Sequence, residues 1–184
     1  MTTPCPNVDG SSPQTQEFDG PPPMCIDPAK RYTASMVTSK GTMTLALDPF
    51  SAPSTVNNFV FLARYHYFDG IVFHRIIPGF VIQGGDPEGT GRGGPGYRFA
   101  DELPKPGRYQ VGSLAMANAG PDTNGSQFFI IPGADGVRLP PQYSLFGAVV
   151  SGGDVVQSID AVGSSSGTPK ERVVIESVTI EEAA

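Results

Sequence analysis

The first chemically informative residue is an arginine within a short apolar run. Arg75 has phenylalanine and isoleucine close by on either side, and Phe80 and Gln83 follow a few positions later. An arginine stays charged and presents a rigid fork of N–H donors, so it can donate to a substrate bound in an apolar site. The alternative is a structural role, in which Arg75 forms a salt bridge to Asp86 or Asp101.

A second candidate segment extends from residue 114 to residue 131 and carries polar residues ahead of an aromatic pair. Because side chains alternate along a strand, Gln127 and Phe129 would share one face and Phe128 would take the other. We therefore expect that face to join Arg75 in a site, while Phe128 enters the core. Taken one at a time, most of these aromatic residues would be assigned to core packing.

Other chemistries have less support. His66 and His74 are the only histidines and no cysteine lies near them, so a zinc site is not expected. His74 is expected to be structural; no nucleophile elbow is present, although the sequence leaves a Ser-His-Asp triad open. Residues 89–94 match G-x-G-x-x-G, but Pro95 and Gly96 directly after them oppose the helix that a dinucleotide site needs. We expect a glycine-rich surface loop there, and no cofactor or metal.

Taken together, two long motifs resemble the signature stretches of the cyclophilins, which are peptidyl-prolyl cis–trans isomerases. The motifs are FHRIIPGFVIQGGD at residues 73–86 and MANAGPDTNGSQFFI at 116–130. The resemblance runs from about residue 32 to residue 180, and GTGRGGPGY at 89–97 is similar to exported actinobacterial members of the bacterial branch. It implies an all-β fold, a closed eight-stranded antiparallel barrel capped by two helices.

The resemblance also implies a role for each matching residue. Arg75 would be the catalytic arginine. The residues that would line the pocket for the substrate proline ring are Phe80, Val81, Phe129 and Leu139. The residues that would hydrogen-bond the substrate backbone are Gln83, Asn118 and Gln127, with Ala117 and Ala119 on the groove floor.

The chain departs from the family pattern at three positions. Val81 stands where many relatives have methionine. The family's frequent pocket tryptophan aligns near Arg138, and its common histidine before the Phe-Gly pair aligns with Tyr143, in a stretch that contains a gap. This chain has no tryptophan. That tryptophan contributes to cyclosporin binding in the family, so its absence puts the sensitivity of this chain to cyclosporin in question.

The implied reaction makes and breaks no covalent bond. Rotation about an X–Pro bond faces a barrier of about 18–20 kcal/mol, set by amide resonance. As the bond twists, the nitrogen localises a lone pair to which a guanidinium can donate. An apolar pocket would hold the proline ring while hydrogen bonds fix one flank of the substrate. The expected partners are proline-containing peptides and unfolded proteins, and a monomer is expected.

The elements that must position these residues are short. The segments 32–38 and 42–47 have a hairpin pattern. A helix follows, with apolar residues at i, i+3, i+4 and i+7 from Val56, a cap at Ser51 and an end near His66. The later elements are apolar runs at 71–76, 80–83, 111–117, 127–131 and 145–150, a helix over 154–161 and a strand over 173–180.

Composition excludes several classes of protein. The 184 residues carry a net charge of −6 with only 12 lysines and arginines, so a nucleic-acid partner is not expected. No apolar run reaches about 18 residues, the length of a transmembrane helix. The chain also lacks the charged and apolar regions of a signal peptide.

Residues 1–28 have a different composition from the domain expected over 29–184. They hold seven of the 19 prolines and no lysine or arginine, which indicates an irregular N-terminal arm. Both cysteines, Cys5 and Cys25, lie in this arm, so we expect a disulfide that contributes about 3 kcal/mol of stability. The alternative is two free thiols in a flexible tail.

The state of the two cysteines bears on where the protein is located. A disulfide favours an exported or membrane-anchored protein, in which case Met1 would be an introduced start and the export signal would be missing; free thiols would favour the cytoplasm. The leading hypothesis for function is prolyl isomerisation that assists protein folding. The alternatives are a non-catalytic module that binds proline-containing peptides in an envelope assembly, and a functional arm on a scaffold barrel.

Overall fold

The computed structural model describes residues 2–184, which form eight strands and three helices. In chain order the elements are β1 (Arg31–Thr38), β2 (Gly41–Leu47), α1 (Pro53–Arg64), β3 (Arg75–Ile77), β4 (Val81–Gly84), β5 (Ser113–Met116), β6 (Phe128–Ile130), α2 (Ala134–Val137), β7 (Leu145–Ser151), α3 (Gly153–Asp160) and β8 (Ile175–Ala183). The mainly β class and the first hairpin are confirmed. The predicted run at 71–76 forms regular strand only from Arg75 onward.

The strands form one antiparallel sheet in the order β3-β4-β6-β5-β7-β2-β1-β8, which curls into a half-barrel. The expectation of full closure is slightly overstated, because β3 and β8 end the sheet. Residues 70–73 and 173–175 join across the gap through an isolated bridge between Val72 and Val174 and through backbone hydrogen bonds from Gly70 to Ile175, from Phe73 to Val173 and from Ile175 to Ile71. A loop covers the outer edge of β3 instead. The Ile76 N–H donates to the Gly167 carbonyl at 2.9 Å, and the Ser164 N–H donates to the Ile76 carbonyl at 3.0 Å. These two hydrogen bonds pair the backbone N–H and carbonyl of Ile76, the central residue of this three-residue edge strand.

Helix α1 is capped by a residue far away in the sequence. The predicted cap at Ser51 is wrong, since the helix begins at Pro53 after Ala52 and has no local side-chain cap. The Glu102 carboxylate accepts hydrogen bonds from the backbone N–H and the hydroxyl of Thr55, each at 2.7 Å. A carboxylate is also favoured at this end of a helix by the helix dipole.

The two predicted helices are confirmed as α1 and α3, and α2 is an additional helix. Val155, Val156 and Ile159 of α3 are buried, as their spacing predicts. Helix α2 has four residues, about one turn, so it leaves no period that a sequence pattern could reveal. No helix within residues 2–184 is long and apolar enough to cross a membrane.

An aromatic cluster forms the centre of the barrel. Phe128 is fully buried, as predicted, and its ring lies edge-on to Phe59 and Phe68 at centroid distances of 5.7 and 5.6 Å. Phe73 completes the contact at 6.2 Å. Edge-to-face rings at these distances add to the stability gained from burial alone. This cluster fixes the inner face of β6, and therefore the direction of its outer face.

The N-terminal arm contains no helix or strand from residue 2 to residue 30. It is nevertheless docked, because Phe18 and Ile26 belong to the same buried cluster as the barrel core. The predicted disulfide between Cys5 and Cys25 is present, with Cα atoms 5.5 Å apart. The arm therefore lies on the domain as a closed loop.

Opening this bridge should lower the free energy of unfolding by about 3 kcal/mol, because the unfolded chain regains the entropy that the cross-link removes. For a domain of this size that corresponds to a fall in Tm of roughly 6–12 °C. Calorimetry of the oxidised and reduced protein measures the difference, and a variant with Cys5→Ser and Cys25→Ser controls for effects of the reductant. Equal Tm values in all three samples would contradict the prediction.

Candidate active site

The candidate site begins with one row of side chains across four strands. In the register of the sheet Arg75 pairs with Gln83, Gln83 with Phe129, and Phe129 with Ala115. Directly paired residues point to the same face of a sheet. The row therefore places a guanidinium, an amide and an aromatic ring side by side on the face opposite Phe128.

This face lies in a cavity of about 160 Å³. All nine lining residues are among those that the family resemblance implies, and seven of them lie in the two motifs. They are Arg75, Phe80, Val81, Gln83, Ala117, Asn118, Phe129, Leu139 and Tyr143. The floor is apolar, and Val81 and Phe129 are each only 3% exposed. The charged and amide groups lie at the rim.

Arg75 is exposed at the rim and is held by neutral partners. Its Nη1 donates to Gln83 Oε1 at 3.2 Å, and its Cζ lies 6.0 Å from the centre of the Phe80 ring. The alternative of a salt bridge to Asp86 or Asp101 is wrong: the ion pairs formed within residues 2–184 do not include Arg75. The guanidinium keeps N–H donors available to a ligand in the cavity.

A chain of amides fixes the orientation of Gln83. Its Nε2 donates to Gln127 Oε1 at 3.1 Å, and the Nε2 of Gln127 donates to the carbonyls of Gly91 and Gly93 at 2.9 and 3.0 Å. Backbone carbonyls can only accept hydrogen bonds, so they fix which end of each amide is which. Gln83 therefore presents its oxygen to Arg75.

The glycine-rich loop folds around a buried carboxylate. Asp86 accepts N–H donors from Glu88, Thr90 and Gly91 at 2.8, 2.9 and 2.6 Å. Burial acts to raise the pKa of Asp86, but these backbone donors outweigh it and lower the pKa on balance. The backbone N–H groups that would bind a phosphate are thus already engaged in hydrogen bonds to Asp86. The loop instead supplies the two carbonyls that hold Gln127.

One wall of the cavity depends on a residue that the motifs do not include. The Tyr143 ring lies edge-on to Phe129, with centroids 5.5 Å apart. The Tyr109 hydroxyl donates to the Tyr143 carbonyl at 2.6 Å and accepts from the Tyr143 N–H at 3.2 Å. Burial raises the pKa of Tyr109, so this hydroxyl stays protonated. An isolated tyrosine in a polar stretch gave no signal of this role.

Three of the predicted residues lie outside the cavity. Ala119 and Gln127 line a neighbouring cavity of about 410 Å³, which shares Gln83, Ala117 and Asn118 with the first. Arg138 lines neither cavity. Its side chain is 79% exposed at the end of α2 and pairs with Asp135 at 3.6 Å. The unforeseen helical turn of α2 directs this residue outward.

The second cavity brings in residues that the motifs did not single out. Its walls come from the glycine-rich loop and from the turn before β6, and they include the cations Arg92 and Arg98. Asn118 marks the boundary between the two cavities, and its Nδ2 donates to the Gln142 carbonyl at 2.9 Å. Within residues 2–184 no group of three or more histidine, cysteine or acidic side chains is placed to hold a metal ion.

His74 directly precedes Arg75 in the chain and should make the free energy of unfolding depend on pH. Its Nδ1 is buried without a hydrogen-bond partner in the described chain. Burial lowers the pKa of His74; Asp86 opposes this shift and Arg75 adds to it. The folded state therefore favours the neutral imidazole. The contribution of His74 to the free energy of unfolding is complete above the unfolded pKa of about 6.5, and it is lost as pH falls below that value.

We expect the free energy of unfolding to decrease as pH falls from about 7 to about 5, and His74→Gln to remove part of that decrease. Urea denaturation of both proteins across this range measures the effect. The same pH dependence in the variant would contradict the assignment to His74.

A family model and curated relatives match this chain over most of its length. The family model "Cyclophilin type peptidyl-prolyl cis-trans isomerase/CLD" matches residues 33–180. Peptidyl-prolyl cis-trans isomerase A of Mycobacterium tuberculosis is 45% identical over 172 residues, 83% of this chain and 94% of the relative. Peptidyl-prolyl cis-trans isomerase B of Streptomyces anulatus is 45% identical over 173 residues, 83% and 98% of the two chains.

Solved structures agree. A Cryptosporidium parvum cyclophilin type isomerase superposes with a TM-score of 0.77 at 32% identity, covering 84% of this chain and 99% of that one. The same protein in the presence of the dipeptide Ala-Pro superposes with a TM-score of 0.75 at 33% identity, covering 81% and 98%. The chain belongs to the cyclophilin type peptidyl-prolyl cis–trans isomerases, in their bacterial branch.

Proposed function

We propose that this isomerase rotates X–Pro bonds of flexible or unfolded chains in the cavity between Arg75 and Phe129, and so assists protein folding. The observation that supports this site most is the row from Arg75 through Gln83 to Phe129. It joins an available guanidinium to an apolar floor within one cavity of about 160 Å³. A proline ring is apolar and its amide nitrogen needs a donor only when the bond twists.

In the proposed mechanism Arg75 acts on the twisted amide. Planar cis and trans amides delocalise the nitrogen lone pair, so the nitrogen is a poor acceptor in either ground state. The lone pair localises near the top of the barrier, and an N–H of Arg75 then binds it. An interaction that exists only in the transition state raises kcat without tightening substrate binding. The hydrogen bond from Nη1 to Gln83 limits where the guanidinium can move.

Binding and rotation are assigned to different parts of the groove. Phe80, Val81, Leu139 and Phe129 hold the ring by apolar contact, with Tyr143 behind Phe129. Gln83, Asn118 and Gln127 hold the substrate backbone on one side, above Ala117 and Ala119. With the ring and one flank held, the remaining flank is free to turn through the twisted state.

The substrate class rests on the groove and on a relative. The Cryptosporidium parvum isomerase was solved in the presence of Ala-Pro, and we infer that this chain takes proline-containing peptides as well. A non-catalytic peptide-binding module has less support, because Arg75 forms no ion pair within the described residues 2–184 that would give it a purely structural role.

A protease-coupled assay on a tetrapeptide with an Ala-Pro bond tests the proposal. The uncatalysed exchange takes tens to hundreds of seconds. We expect the protein at substoichiometric concentration to accelerate it without a metal or cofactor. Binding of the peptide with no acceleration would instead support the non-catalytic module.

We also propose that the protein works in an oxidising compartment, outside the cytoplasm. The support is the Cys5–Cys25 disulfide, since such bonds persist mainly in exported and extracellular proteins. Thiol labelling of the protein taken from its own cells, under denaturing and non-reducing conditions, should add no label. Labelling of both cysteines would contradict this location.

A further inference from the structure

Phe18 is the point where the N-terminal arm enters the barrel. Its side chain is only 6% exposed. The ring packs against Phe61, Tyr65 and Tyr97 at centroid distances of 5.0, 5.5 and 6.3 Å. The first two belong to α1 and the turn after it, while Tyr97 follows the glycine-rich loop and lines the second cavity. One arm residue therefore connects the helix to the wall of that cavity.

The arm backbone holds the same wall directly. The Phe18 N–H donates to the Pro95 carbonyl at 2.9 Å. Gly96 has φ +96° and lies so close to the Phe18 carbonyl that a side chain at position 96 would overlap it. Pro95 lines the second cavity beside Tyr97. The arm thus fixes the course of residues 95–97.

The opposite wall is tied by hydrogen bonds to the same cluster, which also includes Tyr67, whose ring centroid lies 6.4 Å from that of Phe18. Tyr97 donates through its hydroxyl to Asn58 Oδ1, and Asn58 Nδ2 donates to the Gly125 carbonyl at 2.8 Å. The Tyr67 hydroxyl bonds the Ser126 hydroxyl at 2.8 Å. Gly125 and Ser126 line the cavity, so both of its walls depend on the cluster that Phe18 completes.

The glycine-rich wall needs such support. Residues 89–96 include five glycines, and glycine loses more conformational freedom on ordering than any other residue. Contacts from outside the loop must therefore keep it in one conformation.

The arm can supply this support because it is itself fixed. Phe18 lies within the loop that the Cys5–Cys25 bridge closes. The Tyr65 hydroxyl donates to the Pro4 carbonyl at 2.7 Å, and Asn57 Nδ2 donates to the Pro23 carbonyl at 2.9 Å, near the two ends of that loop.

We propose that the disulfide-closed arm is a positioning element of the second cavity, through which it sets the affinity for substrate residues that flank the proline. This rests on the proposed function only in taking the two joined cavities as one substrate groove. Phe18 touches no substrate; it acts through Pro95 and Tyr97. Changes in the arm should leave the affinity for a substrate confined to the first cavity unaltered, and they should weaken the binding of a longer substrate that also occupies the second cavity.

The test compares two peptides as substrates of the protein that comprises residues 1–184. Acetyl-Ala-Pro-amide is the short probe, and an eight-residue peptide with the same Ala-Pro bond at its centre is the long probe. NMR exchange spectroscopy gives KM and kcat, and NMR titration gives Kd. In Phe18→Ala, and in the variant with Cys5→Ser and Cys25→Ser, KM and Kd of the long peptide should rise about fivefold. The kcat of the long peptide should stay within about twofold of its value with the unaltered protein, and so should KM, kcat and Kd of the short peptide.

Two further variants separate this effect from loss of stability. Phe18→Leu keeps an apolar side chain and should show a smaller shift in the same direction if Phe18→Ala fails to fold. Met36→Ala creates a cavity in β1, away from both substrate cavities, and should affect the two peptides equally. Equal changes for both peptides in the arm variants, or no change in Kd, would overturn the proposal. An unaltered protein that binds both peptides but accelerates neither would overturn the proposed function instead, and Kd would still test the arm.

Discussion

Replacing Arg75 by alanine should lower kcat/KM for an X–Pro peptide by roughly 10²–10³, the usual cost of removing an electrostatic donor from a transition state. The loss should lie in kcat, with KM nearly unchanged, because the guanidinium binds the twisted nitrogen rather than the planar substrate. The fold should survive, since the side chain is exposed at the rim and its hydrogen bond to Gln83 is a surface contact. A protease-coupled assay and far-UV circular dichroism measure the two effects.

Two variants control this prediction. Arg75→Lys keeps the charge but loses the planar fork of donors, so it should recover only part of the activity. Arg31→Ala removes an arginine at the start of β1, which lines neither cavity, and should retain full activity. Unchanged turnover in Arg75→Ala would refute the catalytic assignment.

Replacing Phe129 by alanine should affect both binding and stability. The ring is 3% exposed and packs edge-on against Tyr143, so its loss should lower the free energy of unfolding by about 3–5 kcal/mol. The proline ring would also lose an apolar contact on the cavity floor, and KM should rise by at least about tenfold. Urea denaturation and peptide titration measure the two effects separately.

The neighbouring residue supplies the matched control. Phe128 is equally buried but faces the barrel core, away from the cavity. Milder substitutions keep both proteins folded: Phe128→Leu should lower stability with little change in KM, whereas Phe129→Leu should raise KM. Equal rises in KM would mean that Phe129 acts only through the core.

The sequence was most informative where chemistry and strand alternation coincide. The motifs at 73–86 and 116–130 contain seven of the nine residues that line the first cavity, and the register of three short strands brings Arg75, Gln83 and Phe129 into one row. Alternation alone separated Phe128 from Phe129. These features depend on near neighbours in the chain, which a linear pattern can reveal.

Features that depend on distant contacts were missed. Glu102 caps α1 from 47 residues away, and Tyr109 supports Tyr143 across 34 residues. Nothing in the arm indicated that Phe18 would enter the core, because the arm has no regular period. Arg138 was assigned by alignment across a gap, and the structure places its exposed side chain at the end of α2, outside both cavities. Long-range packing decides the positions of Glu102, Tyr109 and Phe18.

The central claim is that Arg75 acts on the rotating bond and not on substrate binding. NMR exchange spectroscopy on acetyl-Ala-Pro-amide, with the protein and with Arg75→Ala, tests it most directly, because one experiment reports binding, exchange rate and equilibrium. We predict cis–trans exchange peaks with the unaltered protein, at unchanged cis and trans populations, and loss of those peaks in Arg75→Ala while the peptide still binds. Strong exchange peaks in the variant, or loss of binding together with exchange, would contradict the account.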